Sequence, residues 1–329
     1  MAQPTSTDVH ADAALTDFSI AYIQDNNSFI GGNAIPSFPV EHKSDLYFVF
    51  NKNDWMRDDA VKVRAEGEEA PMSGFTLSKQ NYNATPWWTS VPMSQLVTAN
   101  ADPALPLDRA ATQLVTQRML IRRERLFATS FMDSSSGWTN QVNGTAGGGT
   151  DFTSWNDYAS DPEKDIDNAK NTMVRTTGFE GNVMTVAYSV HQALKRHPII
   201  KDRIKYTSSE SITAEIIAKF FEVEEYHVSK AAYSSSLEGA ATQVQAFAIP
   251  PNCLLSYKEG SPTIMSPTAA TIFAWSGLTG LNNAGVRIDQ YYDEKKKQDV
   301  IRGEFAFAMV VSGADLGFLF RNAAAVPTP

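Results

Sequence analysis

Cysteine is almost absent from this 329-residue chain, with Cys253 standing alone. One thiol can form no intrachain disulfide and cannot build a multi-thiolate zinc site. Also missing is any apolar run near the roughly 20 residues that cross a bilayer. The longest runs, such as Phe305 to Val311, are strand-sized. Met1 to Asp12 is polar and acidic, with neither the basic patch nor the apolar centre of a secretory leader, so nothing in it directs export. Positive charge is in deficit: 28 Lys and Arg stand against 37 Asp and Glu, a formal net charge of −9. That balance repels a polyanion overall and argues against direct, high-affinity DNA binding, leaving only local basic surfaces for phosphate contact.

Catalytic and cofactor patterns are scarce as well. None of the five histidines (His10, His42, His191, His197, His227) falls in an HExxH or similar metal spacing. Gly147 to Gly149 lacks the following Lys-Ser or Lys-Thr of a phosphate cradle, so a loop is the better reading. Ser189 and His191 lie close in sequence, the best candidate for a hydrolase. No G-x-S-x-G elbow surrounds the serine, and two residues apart on a helix they point in different directions. The expectation is therefore a non-enzyme with no cofactor and no metal.

What is present is ordinary globular material, with 43% hydrophobic and 20% charged residues, enough for more than one packing unit and without an internal repeat. Without a cysteine framework, burial and subunit contacts have to hold it together. Residues 1–46 read as an extended arm, in which Gly31-Gly32, Pro36 and Pro39 break any regular element. Leu46 to Phe50 is an aromatic β-type run, and Phe75 to Thr89 is its return strand. Between them lies a charged stretch with Asp54, Trp55, Arg57, Arg64, Glu66, Glu68 and Glu69; the acids beside Pro71 and Gly74 read as a solvated turn. Such a long ribbon is marginal alone and lies on another surface. Trp87 and Trp88, adjacent on a strand, face opposite sides, one packing inward and one towards a neighbouring surface.

From Leu107 to Met132 there is no Gly or Pro, which predicts a helix about 39 Å long. Leu107, Ala111, Val115, Met119 and Leu126 form one stripe; Ala110, Leu114, Ile121 and Ala128 form a second. Arg109, Arg118, Arg122, Arg123 and Arg125 outnumber Asp108 and Glu124, so the arginines are expected to meet the acidic hairpin of the next subunit. Ser134 to Thr150 reads as a flexible loop. Helices are expected from Pro162 to Gly178, over Val190 to Arg196 up to Pro198, and over Ile212 to Phe221 with Ser211 as N-cap. Strands are expected at Val183 to Val186, Tyr226 to Ser229, Gln243 to Ala248, Cys253 to Tyr257, Val286 to Tyr292 and Val300 to Val311, with a charged turn from Asp293 to Gln298. The class is α+β.

This order of elements resembles the major capsid proteins of tailed bacteriophages, the Hong Kong 97-type fold. Tyr47-Phe48-Val49-Phe50 with Asp54-Trp55 and Arg57-Asp58 looks like the entry to that family's E-loop, continuing through Arg64 and Gly67 to Tyr82. Asn100 to Asp108 and Arg122 to Leu126 look like its spine helix. Ala187 to Leu194, His197-Pro198, Asp202 to Thr207 and Ile217 to Val223 look like its A-domain, and Val286 to Ile288 with Arg302 to Phe305 like its last P-domain strands.

The resemblance implies an N-terminal arm over 1–46, an E-loop over 47–92, a P-domain over 93–178 and 286–329 with its spine helix at 107–132, and an A-domain over 179–285. It implies a subunit that assembles with itself as hexamers and pentamers into the icosahedral head of a tailed phage, enclosing double-stranded DNA with which its contact is indirect. A portal protein at one vertex and a separate scaffolding or decoration protein are the other implied partners, with no membrane. The site would be the virion capsid, assembled in the host cytoplasm. With the E-loop beginning near residue 47, no long scaffolding region is expected ahead of the arm. Lys79 faces no evident amide partner, since the matching stretch carries Asp299, so no covalent mesh is expected. The intersubunit contacts are expected from Asp54, Trp55, Arg57, Arg64, Glu66, Glu68, Glu69, Trp87, Trp88, Arg118, Arg122, Arg123 and Arg125. A bacterial nanocompartment shell is the alternative in the same fold class, and a hydrolase using Ser189 and His191 a more distant one.

Overall fold

The computed structural model describes residues 23–59, 61–63, 66–67, 69, 72–101, 107–145, 151–204, 212–260, 266–277, 281–282 and 285–324. Its first sheet is organised by the 14-residue strand Gln298–Val311. One edge of that strand pairs antiparallel with Thr85–Ser94. Along the other edge, Val286–Asp293 and Ala270–Trp275 follow one another end to end. Ser37–Val40 adds a parallel strand outside Ala270–Trp275. This corrects the expectation that Pro36 and Pro39 exclude regular structure. Pro39 lacks an amide hydrogen, yet a strand at the sheet's edge has one side with no partner to donate to.

Helix Leu107–Phe131 lies on this sheet, turning Ala111, Val115, Met119, Phe127, Ala128 and Phe131 inward. The first expected stripe holds in Ala111, Val115 and Met119, while the second fails at its start. Ala110 is exposed and Leu114 is 43% exposed. The helix sits close because Gly303 has no side chain; a Cβ there would overlap Val115 Cγ1 and Met119 Sδ. Gly303→Ala is therefore expected to destabilise the chain by about 1–3 kcal/mol, the usual cost of overpacking, measurable by urea denaturation.

The second sheet runs in the order Phe152–Thr153, Asn140–Thr145, Gly317–Arg321, Cys253–Ser256, Val183–Ala187 and Glu225–Ser229. Every residue of Val183–Ala187 and Cys253–Ser256 is buried, as continuous apolar runs in covered strands require. Asn140–Thr145 corrects the loop expected over Ser134 to Thr150. Its polar residues carry no strand pattern, and it forms by pairing with Gly317–Arg321, far away in sequence.

Helix Pro162–Thr177 matches its sequence signals: Asp161 caps the Lys164 amide at 3.1 Å, and Gly178 ends the helix at φ +79°. Pro198 does end helix Tyr188–Arg196, but it also opens a further helix, Pro198–Ile204, because its fixed φ suits a first turn. Ser211 lies outside the described residues, and the N-cap of helix Ala214–Phe220 is Thr213, whose hydroxyl accepts from the Ile216 amide.

Candidate assembly surface

The ribbon expected from the sequence pairs Ser44–Phe50 with Leu77–Asn83. Its base is locked to the body. Tyr82 is buried and stacks on Phe273 at 4.5 Å and 19°, and its hydroxyl donates to the His42 carbonyl at 3.2 Å. Tyr47 approaches the same ring at 5.5 Å. The return strand expected from Phe75 to Thr89 is in fact two strands meeting at the fully buried Ala84, whose amide donates to the Lys43 carbonyl at 2.8 Å. Trp87 and Trp88 therefore belong to the first sheet and not to the ribbon.

The far end of the ribbon is built differently. Asn51 caps a one-turn helix, Lys52–Trp55, and Asp54 closes the loop by accepting from the amide and hydroxyl of Thr76 at 2.7 and 2.5 Å. These hydrogen bonds hold the Asp54 carboxyl below its usual pKa. Arg57 binds Asp59 through two nitrogens, at 2.8 and 2.6 Å. Lys52 is ion-paired with Asp315 of the body. Phe50, Trp55 and Phe75 form a triangle of rings with centroids 6.1 to 6.4 Å apart.

Trp55 is nonetheless 60% exposed and Phe75 64%, and Met56, Val61, Val63 and Met72 of the same segment are exposed too. Glu66 and Glu69 are exposed, while Arg64 and Glu68 lie outside the described residues. Together with Leu46 and Phe48, exposed along the ribbon itself, these apolar side chains leave an unusually large apolar surface uncovered within one chain.

Three of the helix arginines lie beside aromatic rings of their own chain. Arg122 stacks on the Trp87 ring at 4.1 Å and Arg125 on Tyr233 at 4.2 Å. Arg123 sits 5.5 Å from Phe307, and its burial pulls its pKa down. Arg118 is half-buried. Each of these three planar guanidinium groups has an aromatic face of its own chain beside it, and Arg125 is exposed as well. Arg122→Ala is expected to cost about 1 kcal/mol, and a double-mutant cycle with Trp87→Ala should recover most of that as coupling. Trp88, on the opposite strand face, is 75% exposed.

Glu124, counted in the sequence only as a charge on the arginine-rich helix, has no solvent exposure. Its Oε2 accepts from the Ile30 and Gly31 amides at 3.0 and 2.8 Å, and its Oε1 from the Ser229 hydroxyl at 2.6 Å. One carboxylate thus joins the arm, the spine helix and an edge strand of the second sheet. Gly31 and Gly32 permit the approach: a Cβ at Gly31 would lie 3.1 Å from Glu124 Oε2, and one at Gly32 3.1 Å from the Arg123 guanidinium. Burial raises the Glu124 pKa, opposed by the three hydrogen bonds and by Arg123. No local signal reveals this residue, since its partners lie 93 to 105 positions away.

Ser189 and His191 are not joined as a nucleophile and base. His191 Nδ1 instead lies 3.1 Å from the Tyr226 hydroxyl, and burial, with help from Lys195 and Lys230, lowers its pKa. A different pair, Ser160 and His197, is in contact at 3.2 Å and buried. Its hydroxyl donates to the Asp157 carbonyl at 2.6 Å, so the serine accepts from the imidazole and is not activated by it. Among the described residues, no group of three or more His, Cys, Asp or Glu side chains is arranged to hold a metal ion. No described helix is long and apolar enough to cross a membrane.

No protein-family profile matches the chain. A curated relative, the major capsid protein of Burkholderia phage BcepMu, is 25% identical over 317 residues, covering 94% of this chain and 95% of the relative. Among solved structures, a phage-related protein from Bordetella bronchiseptica RB50 superposes with a TM-score of 0.68 at 20% identity, covering 91% of this chain and 94% of the other. The capsid structure of cyanophage P-SCSP1u superposes with a TM-score of 0.54 at 9% identity, covering 92% and 90%. The chain has the Hong Kong 97-type fold of tailed-phage capsid proteins and is similar in sequence to a phage major capsid protein along nearly its whole length.

Proposed function

We propose that copies of this chain tile an icosahedral head as hexamers and pentamers, enclosing the double-stranded DNA of a tailed phage. The observation that carries this reading is end-to-end similarity to a phage major capsid protein, combined with a ribbon whose base is anchored and whose apolar end is uncovered. The same similarity favours a genome over an enzyme cargo, and so a phage head over a nanocompartment. In this reading the arm covers 1–46 and the A-domain 179–285. The P-domain takes 93–178 and 286–329 and the E-loop 47–92, which holds most of the ribbon paired between Ser44–Phe50 and Leu77–Asn83.

Intersubunit contact falls to Trp55, Glu66 and Glu69 at the ribbon's end, and to Trp88 on the sheet. Asp54 and Arg57 shape that end from within, and Arg122, Arg123 and Arg125 brace the spine helix. Arg118 stays a contact candidate on the helix. Assembly takes place in the host cytoplasm, with a portal protein at one vertex and a separate scaffolding protein as further partners. The test is electron microscopy of the purified chain, expressed alone and with its neighbouring genes. Closed particles of uniform size that protect DNA from nuclease are expected; a monomer under every salt condition with either expression would overturn the proposal.

A further inference from the structure

The ribbon leaves the body beside the buried Tyr82 and Ala84, and its strands run seven residues each, about 23 Å at 3.3 Å per residue. A two-stranded ribbon is marginal by itself, so its base alone does not fix where its far end lies. A swing of about 10° at the base moves that end by about 4 Å. That is the whole distance over which apolar atoms touch. A second attachment limits the swing. Lys52, the first residue of the one-turn helix at the far end, is ion-paired with Asp315. Beside it, Met56 Cε lies 3.9 Å from where a Cβ on Gly178 would stand.

Asp315 is a firm anchor. It sits in the short turn Ala314–Leu316, between the strands Gln298–Val311 and Gly317–Arg321. Leu316 is buried and its carbonyl accepts from the Tyr257 amide at 3.0 Å, while the Ala314 carbonyl accepts from the Thr139 amide at 3.2 Å. On the ribbon's side, the Asn51 cap and the hydrogen bonds from Thr76 to Asp54 hold the helix that carries Lys52. The strength of the pair decides what it can do. Its side chains are 45% and 28% exposed, and a pair so open to solvent shifts an equilibrium by about five-fold at most. That is too little to hold the ribbon shut against a standard protein interface. It is enough to favour one direction of a lever whose firm attachment is at its base.

We propose that the Lys52–Asp315 pair aims the ribbon: each subunit uses its own body to present Trp55 and Phe75 in one direction before a second copy arrives. Asp315 is then a positioning residue for the assembly contact. The gain is pre-organisation, since an end already aimed loses less freedom when it is covered. Every copy that joins carries the same factor, so a small bias per subunit multiplies over several. Salt screens an exposed pair, so the aim softens at high ionic strength. The role in assembly rests on the shell reading; the aiming itself does not, because it belongs to a single subunit.

The aim is read first on the full chain as dispersed subunits. Spin labels at Asn53→Cys, on the one-turn helix, and Asn171→Cys, on helix Pro162–Thr177, report their separation by pulsed electron paramagnetic resonance. Both sites are exposed, and Cys253 is buried. One narrow distance distribution is expected at low salt. Asp315→Asn, or salt at about 1 M, is expected to broaden it about two-fold, and Lys52→Glu with Asp315→Lys to restore it. An unchanged width in Asp315→Asn, or no recovery in the charge swap, would overturn the proposal. Assembly is read second, by light scattering. Asp315→Asn is expected to lengthen the lag before particles several-fold, and the charge swap to shorten it again; an unchanged lag would remove the positioning role. Subunits with Lys52→Cys and Asp315→Cys bridged by a short bis-maleimide are expected to assemble. Bridged subunits that stay dispersed would mean that the ribbon has to leave its own body, which contradicts aiming. Should the wild-type chain form no particles at all, the shell reading falls, and the distance widths still decide the aim.

Discussion

Glu124→Ala is expected to lower the stability of the subunit by about 3–5 kcal/mol, the cost of removing one partner from a buried charged network. That is a large part of the 5–15 kcal/mol that typically separates folded from unfolded chains. The substitution strands three donors in a buried site: the Ile30 and Gly31 amides and the Ser229 hydroxyl. Each unsatisfied donor costs about 1–3 kcal/mol, and the cavity adds to this. Ser229→Ala should cost less, since it removes a donor and leaves the carboxylate its two amides. Urea denaturation of both variants checks the order; equal midpoints for wild type and Glu124→Ala would refute the staple.

The same residue sets a pH dependence with a definite sign. Burial raises the Glu124 pKa above its unfolded value. The uncharged form is therefore the better accommodated one. Its contribution to stability is fully present below the unfolded pKa and is lost as pH rises through the folded one. Glu124→Gln cannot ionise, so its stability relative to wild type is expected to improve as pH increases across that window. A difference between the two that stays constant from pH 4 to 8 would contradict the assignment.

Replacing residues 51–76 by Asn-Gly is expected to abolish closed particles while leaving a folded subunit. The new turn would join Phe50 to Leu77, which are already paired, and Asn-Gly supplies the positive φ angles that a two-residue hairpin needs. No described residue between 51 and 76 is buried, so little folding energy is lost. The anchor survives, because Tyr82 and Phe273 are untouched. A deletion of Lys62 to Tyr82 would be a poorer test, since it removes the buried Tyr82 and mixes misfolding with failed assembly. Circular dichroism with light scattering separates the two. Trp55→Ser combined with Phe75→Ser should show a milder form of the same defect, with particles fewer but not absent. Normal particles from the truncated ribbon would remove the ribbon's end from the assembly surface.

Several readings that depended on local chemistry survive in the structure. A helix over Leu107–Phe131 follows from a long run without Gly or Pro, and the cap and stop of Pro162–Thr177 follow from Asp161 and Gly178. The opposite facing of Trp87 and Trp88 follows from the two-residue period of a strand. Two of the readings that failed depended on partners far along the chain. Asn140–Thr145 is a strand only because Gly317–Arg321 lies beside it, and Ser37–Val40 only because Ala270–Trp275 does.

The candidate assembly surface divides in the same way. Exposed aromatics at the ribbon's end could be anticipated from an aromatic run next to a charged turn. The arginines could not be assigned, because a row of positive charges on a helix reads the same whether it faces a neighbour or lies on Trp87, Phe307 and Tyr233.

By itself, then, the sequence determined the class of the fold, its principal helices and hairpin, and the lack of disulfide, metal and membrane-spanning patterns. Each of these is a property of residue type and short-range periodicity. Only the tertiary structure decided that Glu124 is a buried staple, that three helix arginines lie on rings of their own chain, and that the ribbon's base is packed on the body while the aromatic rings at its far end stay exposed. Those outcomes depend on which surfaces exclude water, and burial arises from elements that meet only when the chain is folded.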